Sequence, residues 1–214
     1  MPTPEPQIIH IDVPPSLRLR EKWLRELLPN VAFDGWTEPT ARAAAEAIGL
    51  TEAEQALAAP GGINDLIETF FDLAEQKLAE ELKIYPLDQL GVRERVGLAL
   101  RIWLRILKPD REAVRRAAGR GFLPWHAGAA TRRAWSVADT IWTVTGDTSE
   151  DYNRYTKRGL LAAIIPPLVL YWLDEDDEQK LEAYIERHLN RAMKIGQAGG
   201  KAFGPILSMF SRQR

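Results

Sequence analysis

Apolar residues recur at every third or fourth position along most of the chain, and no stretch sustains a two-residue alternation. That period marks helices with one buried face rather than strands. The spacing predicts helices over 17–32, 40–48, 51–58, 63–84, 88–107, 110–120, 127–145, 151–173 and 176–196, with a short tenth over 203–212, about ten in all. Glycine and proline separate them at Gly35, Gly49, Gly61–Gly62, Pro86, Pro109, Gly121 with Pro124, and Gly146. Asp110, Thr148 and Asp174 stand where N-caps are expected. The fold class that follows is all-α.

One segment breaks the one-sided pattern. Residues 160–173 form an apolar run of fourteen with Pro166–Pro167 inside it. A bilayer span needs about 20 such residues, so this reads as a core helix surrounded by others. The proline pair removes two backbone donors and is expected to bend the helix, parting its neighbours and opening a cavity between them. The lining expected from the pattern is Leu100, Leu104, Phe122, Leu123, Trp135, Ile141, Leu161, Ile164, Ile165 and Leu168. A filled core without a cavity suits the same composition.

The pattern also divides the chain. Residues 1–15 hold five prolines and two acids and lack the marks of a secretory or transit sequence, so they read as a disordered tail. Residues 16–62 make a compact three-helix unit. Residues 63–196 carry longer helices and five of the seven tryptophans. Residues 197–214 read as a glycine hinge followed by an amphipathic helix. There Phe203, Ile206, Leu207 and Phe210 recur at helical spacing beside Lys201 and Arg212, and no acid lies between Lys194 and Arg214. Such a helix suits the surface of an anionic bilayer, although a tail folded back on the core fits it too.

The 16–62 unit has the order of a helix-turn-helix: after Gly35-Trp36, Thr37 caps a helix whose Ala44, Ala45 and Ile48 face inward, Gly49 turns the chain, and Thr51 caps a second short helix. This layout resembles the TetR family of regulators. The would-be reading helix, 51–58, has Glu52 and Glu54 and no base. Between Asp34 and Gly62 there are five acids and one base, and the whole chain has a formal charge of -2. Phosphate recognition needs the opposite sign, so no nucleic-acid partner is expected.

Candidate chemistry is sparse. With no cysteine, thiolate ligands and a thiol nucleophile are excluded. The three histidines are His10 in the tail, His126 in a loop, and His188 in step with Leu181, Ile185 and Ala192, where a packed histidine is expected. No nucleotide-binding glycine motif or metal-binding His pair occurs. No catalytic residue, metal or cofactor is expected, and the chain reads as a non-enzyme.

The most specific feature runs from 139 to 163. Trp142, Gly146, Asp147, Ser149, Asp151, Tyr152, Asn153, Tyr155, Thr156, Lys157, Arg158, Leu161, Ala162 and Ala163 stand at fixed spacing. This segment is similar to the lipid-binding accessory family of ubiquinone (coenzyme Q) biosynthesis, ninth of the Coq series. Weaker similarity extends from about Leu24 to about Met193, including Arg105 to Pro109 and Leu123–Pro124. The resemblance implies a TetR-like fold without DNA binding, a deep pocket for an isoprenoid lipid, and presentation of a quinone precursor to the demethoxyubiquinone hydroxylase. It maps the partner surface onto Asp139, Trp142, Asp151, Tyr152, Arg154, Tyr155 and Lys157, with Arg154 standing where many members have tryptophan. It also implies a C-terminal helix docking on a membrane. The expectation is therefore a cytoplasmic protein peripheral on the inner membrane, homodimeric as TetR-like proteins commonly are. A ligand-sensing TetR regulator is the alternative.

Overall fold

The computed structural model describes residues 14–121, 127–148 and 151–211, with side-chain surroundings for all of these except 121, 127, 151–153 and 197–211. Two α-carbon contact units divide between Thr69 and Phe70. The division falls inside α4 (Ile63–Leu82).

The first unit holds α1 (Pro15–Asp34), α2 (Glu38–Ala47) and α3 (Glu52–Ala58). Its core is Trp23, Leu24, Leu27 and Val31 of α1 with Trp36 and the alanines 41, 44 and 45 of α2. Small side chains let α2 lie close to α1, close enough for Trp23 Nε1 to donate to the Ala41 carbonyl at 2.7 Å. Arg20 Nε donates to the Ala58 carbonyl at 2.5 Å and so satisfies the last turn of α3. The starts are capped as the sequence suggests. The Thr37 hydroxyl accepts from the Thr40 amide, and Thr51 with Glu54 closes a reciprocal capping box. Gly35 and Gly49 turn the chain at φ 74° and 71°, which only glycine adopts without strain. Glu38 accepts from the Ile63 amide at 3.1 Å and places an anion at the start of α4.

The second unit contains the rest of α4 and five more helices: α5 (Val92–Leu107), α6 (Arg111–Gly121), α7 (Ala127–Val144), α8 (Asp151–Asp174) and α9 (Glu178–Ser211). Among the described residues there are only helices and turns. The all-helical reading therefore holds, with differences at the ends of elements. The chain enters α5 later than the pattern suggests, because a 3-10 turn at Leu87–Gln89 comes first and Glu94 caps the Gly91 amide at 2.8 Å. Asp177, not Asp174, caps α9: its carboxylate accepts from the Gln179 amide at 2.9 Å. Asp174 instead ends α8.

Two larger expectations change. The apolar run of α8 is not surrounded. Leu161, Ile164, Ile165, Leu168 and Trp172 form its buried face, while Ala163, Pro166, Pro167 and Leu170 are exposed. The proline rings thus face away from the core, and the helix continues through them. The two carbonyls that lose their helical donors belong to Ala162 and Ala163, so the cavity does not arise at the prolines. At the other end, α9 runs unbroken to Ser211, through Gly196, Gly199 and Gly200, where a hinge and a separate tenth helix were expected. A glycine costs a helix only about 1 kcal/mol, and Ala198, Lys201 and Ala202 around these three favour its continuation.

α4 and α7 meet around a buried acid. Glu75 accepts from the hydroxyls of Ser136 at 3.0 Å and Thr140 at 2.7 Å, near Asp72 and Arg133. Burial outweighs these hydrogen bonds and raises its pKa above the ordinary glutamate value. A raised folded-state pKa contributes stability at low pH that is lost as pH rises through it. Thermal unfolding of the protein and of Glu75→Gln should therefore converge toward, or shift in favour of, the unsubstituted protein between pH 7 and pH 5. A midpoint difference that does not change with pH would contradict this.

Candidate functional site

A buried guanidinium organises the turn between α7 and α8. Arg158 is only 4% exposed. Its Nη1 pairs with Asp147 at 3.0 Å, and its Nε pairs with Asp139. Asp147 lies just after the α7 C-terminus and is itself 5% exposed at the side chain. Burial opposes the charge on Arg158, but the bonds to the two carboxylates outweigh it and raise its pKa further. Lys157 adds a second cation on Asp147 at 2.7 Å and lies 5.2 Å from the centre of the Trp142 ring. Trp142 Nε1 donates to the Lys157 carbonyl at 3.1 Å. Arg154 reaches Asp139 at 3.8 Å. α7 and α8 are thereby locked in one register at this end.

Beside this clamp an apolar cleft of about 270 Å³ opens between α5, α7, α8 and α9. α8 supplies Thr156, Lys157, Leu160, Leu161 and Ile164, and α7 supplies Trp142. α5 supplies Val92, Arg93 and Val96, and α9 supplies Leu189, Ala192, Met193 and Gly196. Val96, Leu161, Ile164 and Leu189 are buried and make the floor. Two glycines permit the close approach of α9. A Cβ on Gly97 would lie 3.4 Å from Leu189, and one on Gly196 would lie 3.3 Å from Leu160. An apolar cavity of 150 Å³ accepts benzene, so this one holds about ten carbon atoms.

The residues expected at the pocket are thus distributed. Leu161 and Ile164 line the cleft. Leu100, Ile141, Ile165 and Leu168 are buried outside its lining. Leu104 borders a separate cavity of about 480 Å³ between α5 and the α8–α9 junction. The rim of that cavity is crossed by ion pairs, Arg101–Glu182 at 2.6 Å and Lys108–Glu178 at 3.4 Å, which an apolar ligand would have to desolvate. Trp135 is 38% exposed and stacks on Tyr155 with ring centres 6.3 Å apart. Phe122 and Leu123 lie outside the described residues.

Of the expected partner surface, Asp139, Trp142, Arg154, Tyr155 and Lys157 share the α7–α8 corner, and Tyr155 is 67% exposed. The side chains of Asp151 and Tyr152 lie outside the described residues. So do those of Lys201, Phe203, Ile206, Leu207 and Phe210, and all of Arg212, His10 and His126. His188 is half-buried, stacked on Tyr184 at 4.0 Å with Nδ1 2.9 Å from the Tyr184 carbonyl. Among the described residues no group of three acids or histidines is placed to hold a metal ion. The α5 and α9 walls were missed in the sequence. Their signal is the 189, 192, 193, 196 stripe, which continues the inward face already marked by Leu181 and Ile185.

A model of the COQ9 family matches residues 127–196, the stretch that holds the clamp and most of the cleft. Human "Ubiquinone biosynthesis protein COQ9, mitochondrial" is 29% identical over 188 residues, 84% of this chain and 59% of the human protein. The rat protein of that name is 27% identical over 84% of this chain and 60% of its own length. Over these residues the chain is similar to the COQ9 family. "Probable ubiquinone biosynthesis protein coq9, mitochondrial" of Dictyostelium discoideum is 28% identical over 73% of the chain and 53% of its own length. The chain therefore spans somewhat over half the length of the curated proteins it matches. Among solved structures, a TetR transcriptional regulator from Nitrosomonas europaea superposes with a TM-score of 0.64 at 18% identity, over 82% of this chain and 98% of that one. The fold is TetR-like.

Removing one side of a buried ion pair strands the other charge, at a cost of about 3–5 kcal/mol. Arg158→Met should fall at the low end, about 3 kcal/mol in denaturant unfolding, because Lys157 still reaches Asp147. A loss below about 1 kcal/mol would show that the clamp does not hold this corner.

Proposed function

We propose that this chain is a lipid-binding accessory protein of ubiquinone biosynthesis and performs no chemistry of its own. The observation that carries the reading is the apolar cleft walled by Trp142, Lys157 and Leu161, residues of the very segment that resembles the COQ9 family. Burying apolar surface yields roughly 25 cal/mol per Å², so an apolar chain gains by leaving water for such a cleft. As it stands the cleft takes about ten carbons, the equivalent of two isoprene units. A longer prenyl chain requires α8 and α9 to part further.

The partner is a demethoxyubiquinone hydroxylase, docked on the α7–α8 corner at Asp139, Trp142, Asp151, Tyr152, Arg154, Tyr155 and Lys157. The exposed Tyr155 ring, stiffened by its stack on Trp135, supplies an aromatic anchor of the kind that dominates interfaces. Acceleration of the hydroxylase comes from delivering a water-insoluble substrate in one orientation. The C-terminal part of α9, with Lys201, Phe203, Ile206, Leu207, Phe210 and Arg212, rests on the bilayer surface. No helix among the described residues is long and apolar enough to cross a membrane. A second copy covers the exposed apolar side of α8 at Ala163, Pro166, Pro167 and Leu170, giving a homodimer. The regulator reading is the weaker one, since α3 offers Glu52 and Glu54 and no cation to phosphate.

Mass spectrometry of lipids extracted from the natively purified protein tests the carrier role. An isoprenoid quinone or its precursor should co-purify. Its absence, together with refusal of added quinone by the delipidated protein, would contradict the reading.

A further inference from the structure

The apolar cleft and its larger neighbour lie along one groove. α9 runs antiparallel to α8, with Leu160 against Gly196 and Tyr171 stacked on Tyr184. It also runs antiparallel to α5, with Arg93 on Asn190 and Arg101 on Glu182. From Gly196 toward the start of α9, the cleft therefore comes first and the cavity of about 480 Å³ second. Helical steps of four residues lead from one to the other: Val96, Leu100 and Leu104 on α5, and Ile164, Leu168 and Trp172 on α8. The middle residue of each series, Leu100 or Leu168, is fully buried and lines neither space. On α9 nothing intervenes, since Leu189 lines the cleft and Ile185, one turn earlier, lines the cavity. Leu189 Cδ1 sits over Gly97, 3.4 Å from where a Cβ would stand, so α5 offers it a seat without a side chain. A single layer of leucines thus divides the two spaces, and Leu189 is the member exposed to the cleft.

We propose that Leu189, seated over Gly97, is the stop that limits the buried part of an apolar chain to about ten carbons, and that the neighbouring cavity is the continuation of the same groove beyond this stop. The inference rests on reading the cleft as a lipid site and adds the residue that sets chain length. The neighbouring cavity is charged at its rim but apolar beneath, where Ile102, Leu104 and Ile185 are at most 2% exposed. A chain arriving past Leu189 reaches this floor from below and leaves the Arg101–Glu182 and Lys108–Glu178 pairs at the rim intact. Because Leu189 is carried on α9, the unsubstituted protein admits a longer chain only when α9 moves. A buried methylene raises affinity about three- to fourfold, so a third isoprene unit that found room would raise it by roughly a few hundredfold. One that meets the stop adds almost nothing.

Fluorescence titration of the full chain with geraniol and farnesol, prenyl alcohols of two and three isoprene units, tests the stop, with Trp142 in the cleft wall as reporter. The unsubstituted protein should prefer farnesol over geraniol by less than about threefold, since the added unit finds no room. Leu189→Ala should raise that preference to tenfold or more; because the readout is a ratio, a loss of affinity common to both probes cancels. Leu189→Val, which trims less of the buried side chain, should raise it part of the way. Adding Leu181→Trp to Leu189→Ala, to fill the neighbouring cavity, should return it to the starting value. In methyl-resolved NMR, farnesol should shift Ile102 and Ile185 in Leu189→Ala and leave both unmoved in the unsubstituted protein. A large preference for farnesol in the unsubstituted protein, or a ratio that Leu189→Ala and Leu189→Val both leave unchanged, overturns the stop and leaves the lipid site standing. A raised ratio without shifts at Ile102 and Ile185 overturns the continuation into the cavity. No binding of geraniol or farnesol to the unsubstituted protein overturns the inference and the lipid-site reading together.

Discussion

The buried guanidinium of Arg158 is the constraint on which this corner of the molecule depends. A charge taken out of water is tolerated only when it is paired, and here the buried Asp147 of the turn and the half-exposed Asp139 of α7 meet that need. The consequence is positional. Once Arg158 is seated, the register of α8 on α7 is set, Trp142 lies beneath Lys157, and Leu160, Leu161 and Ile164 point toward α9. Charged groups thereby shape an apolar space that they do not fill.

The opposite wall is built by the absence of side chain. Gly97 of α5 leaves room for Leu189 of α9, and Gly196 of α9 leaves room for Leu160 of α8, so α9 packs closely on both neighbours. Arg93 and Arg101 pin the edge of α9 through Asn190 and Glu182. These rim pairs are half-exposed and weak, whereas the clamp is buried. The α7–α8 side is accordingly the firm wall, and α9 is the side that can yield to a larger ligand.

Much of this was legible in the sequence, and unevenly so. The helical class, the Thr37 and Thr51 caps and the Gly35 and Gly49 turns follow from local rules that need no tertiary knowledge. The motif from Trp142 to Ala163 marked the site, because its residues are close in sequence as well as in space. The lining was harder. Apolarity identified Leu100, Ile141, Ile165 and Leu168, but a buried leucine in a filled core and one in a cleft wall look alike until the helices are placed. Val92, Arg93 and Met193 were overlooked because they meet α8 only through the antiparallel pairing of α5 with α9. The proline pair misled for a related reason: which way the rings face depends on the packing of α8, and they face outward. The acidic α3 shows that a helix-turn-helix outline can persist while its surface charge opposes phosphate.

The central claim is that an apolar ligand occupies the cleft between α5, α7, α8 and α9. Methyl-resolved NMR of the full chain with a short-tailed ubiquinone analogue tests it most directly. The account predicts shifts confined to the methyls of Val96, Leu160, Leu161, Ile164, Leu189 and Met193, with Leu24, Leu27 and Val31 of the first unit unmoved. Shifts that spare the cleft, or that appear instead around Leu98, Ile102 and Ile185 in the neighbouring cavity, would contradict it.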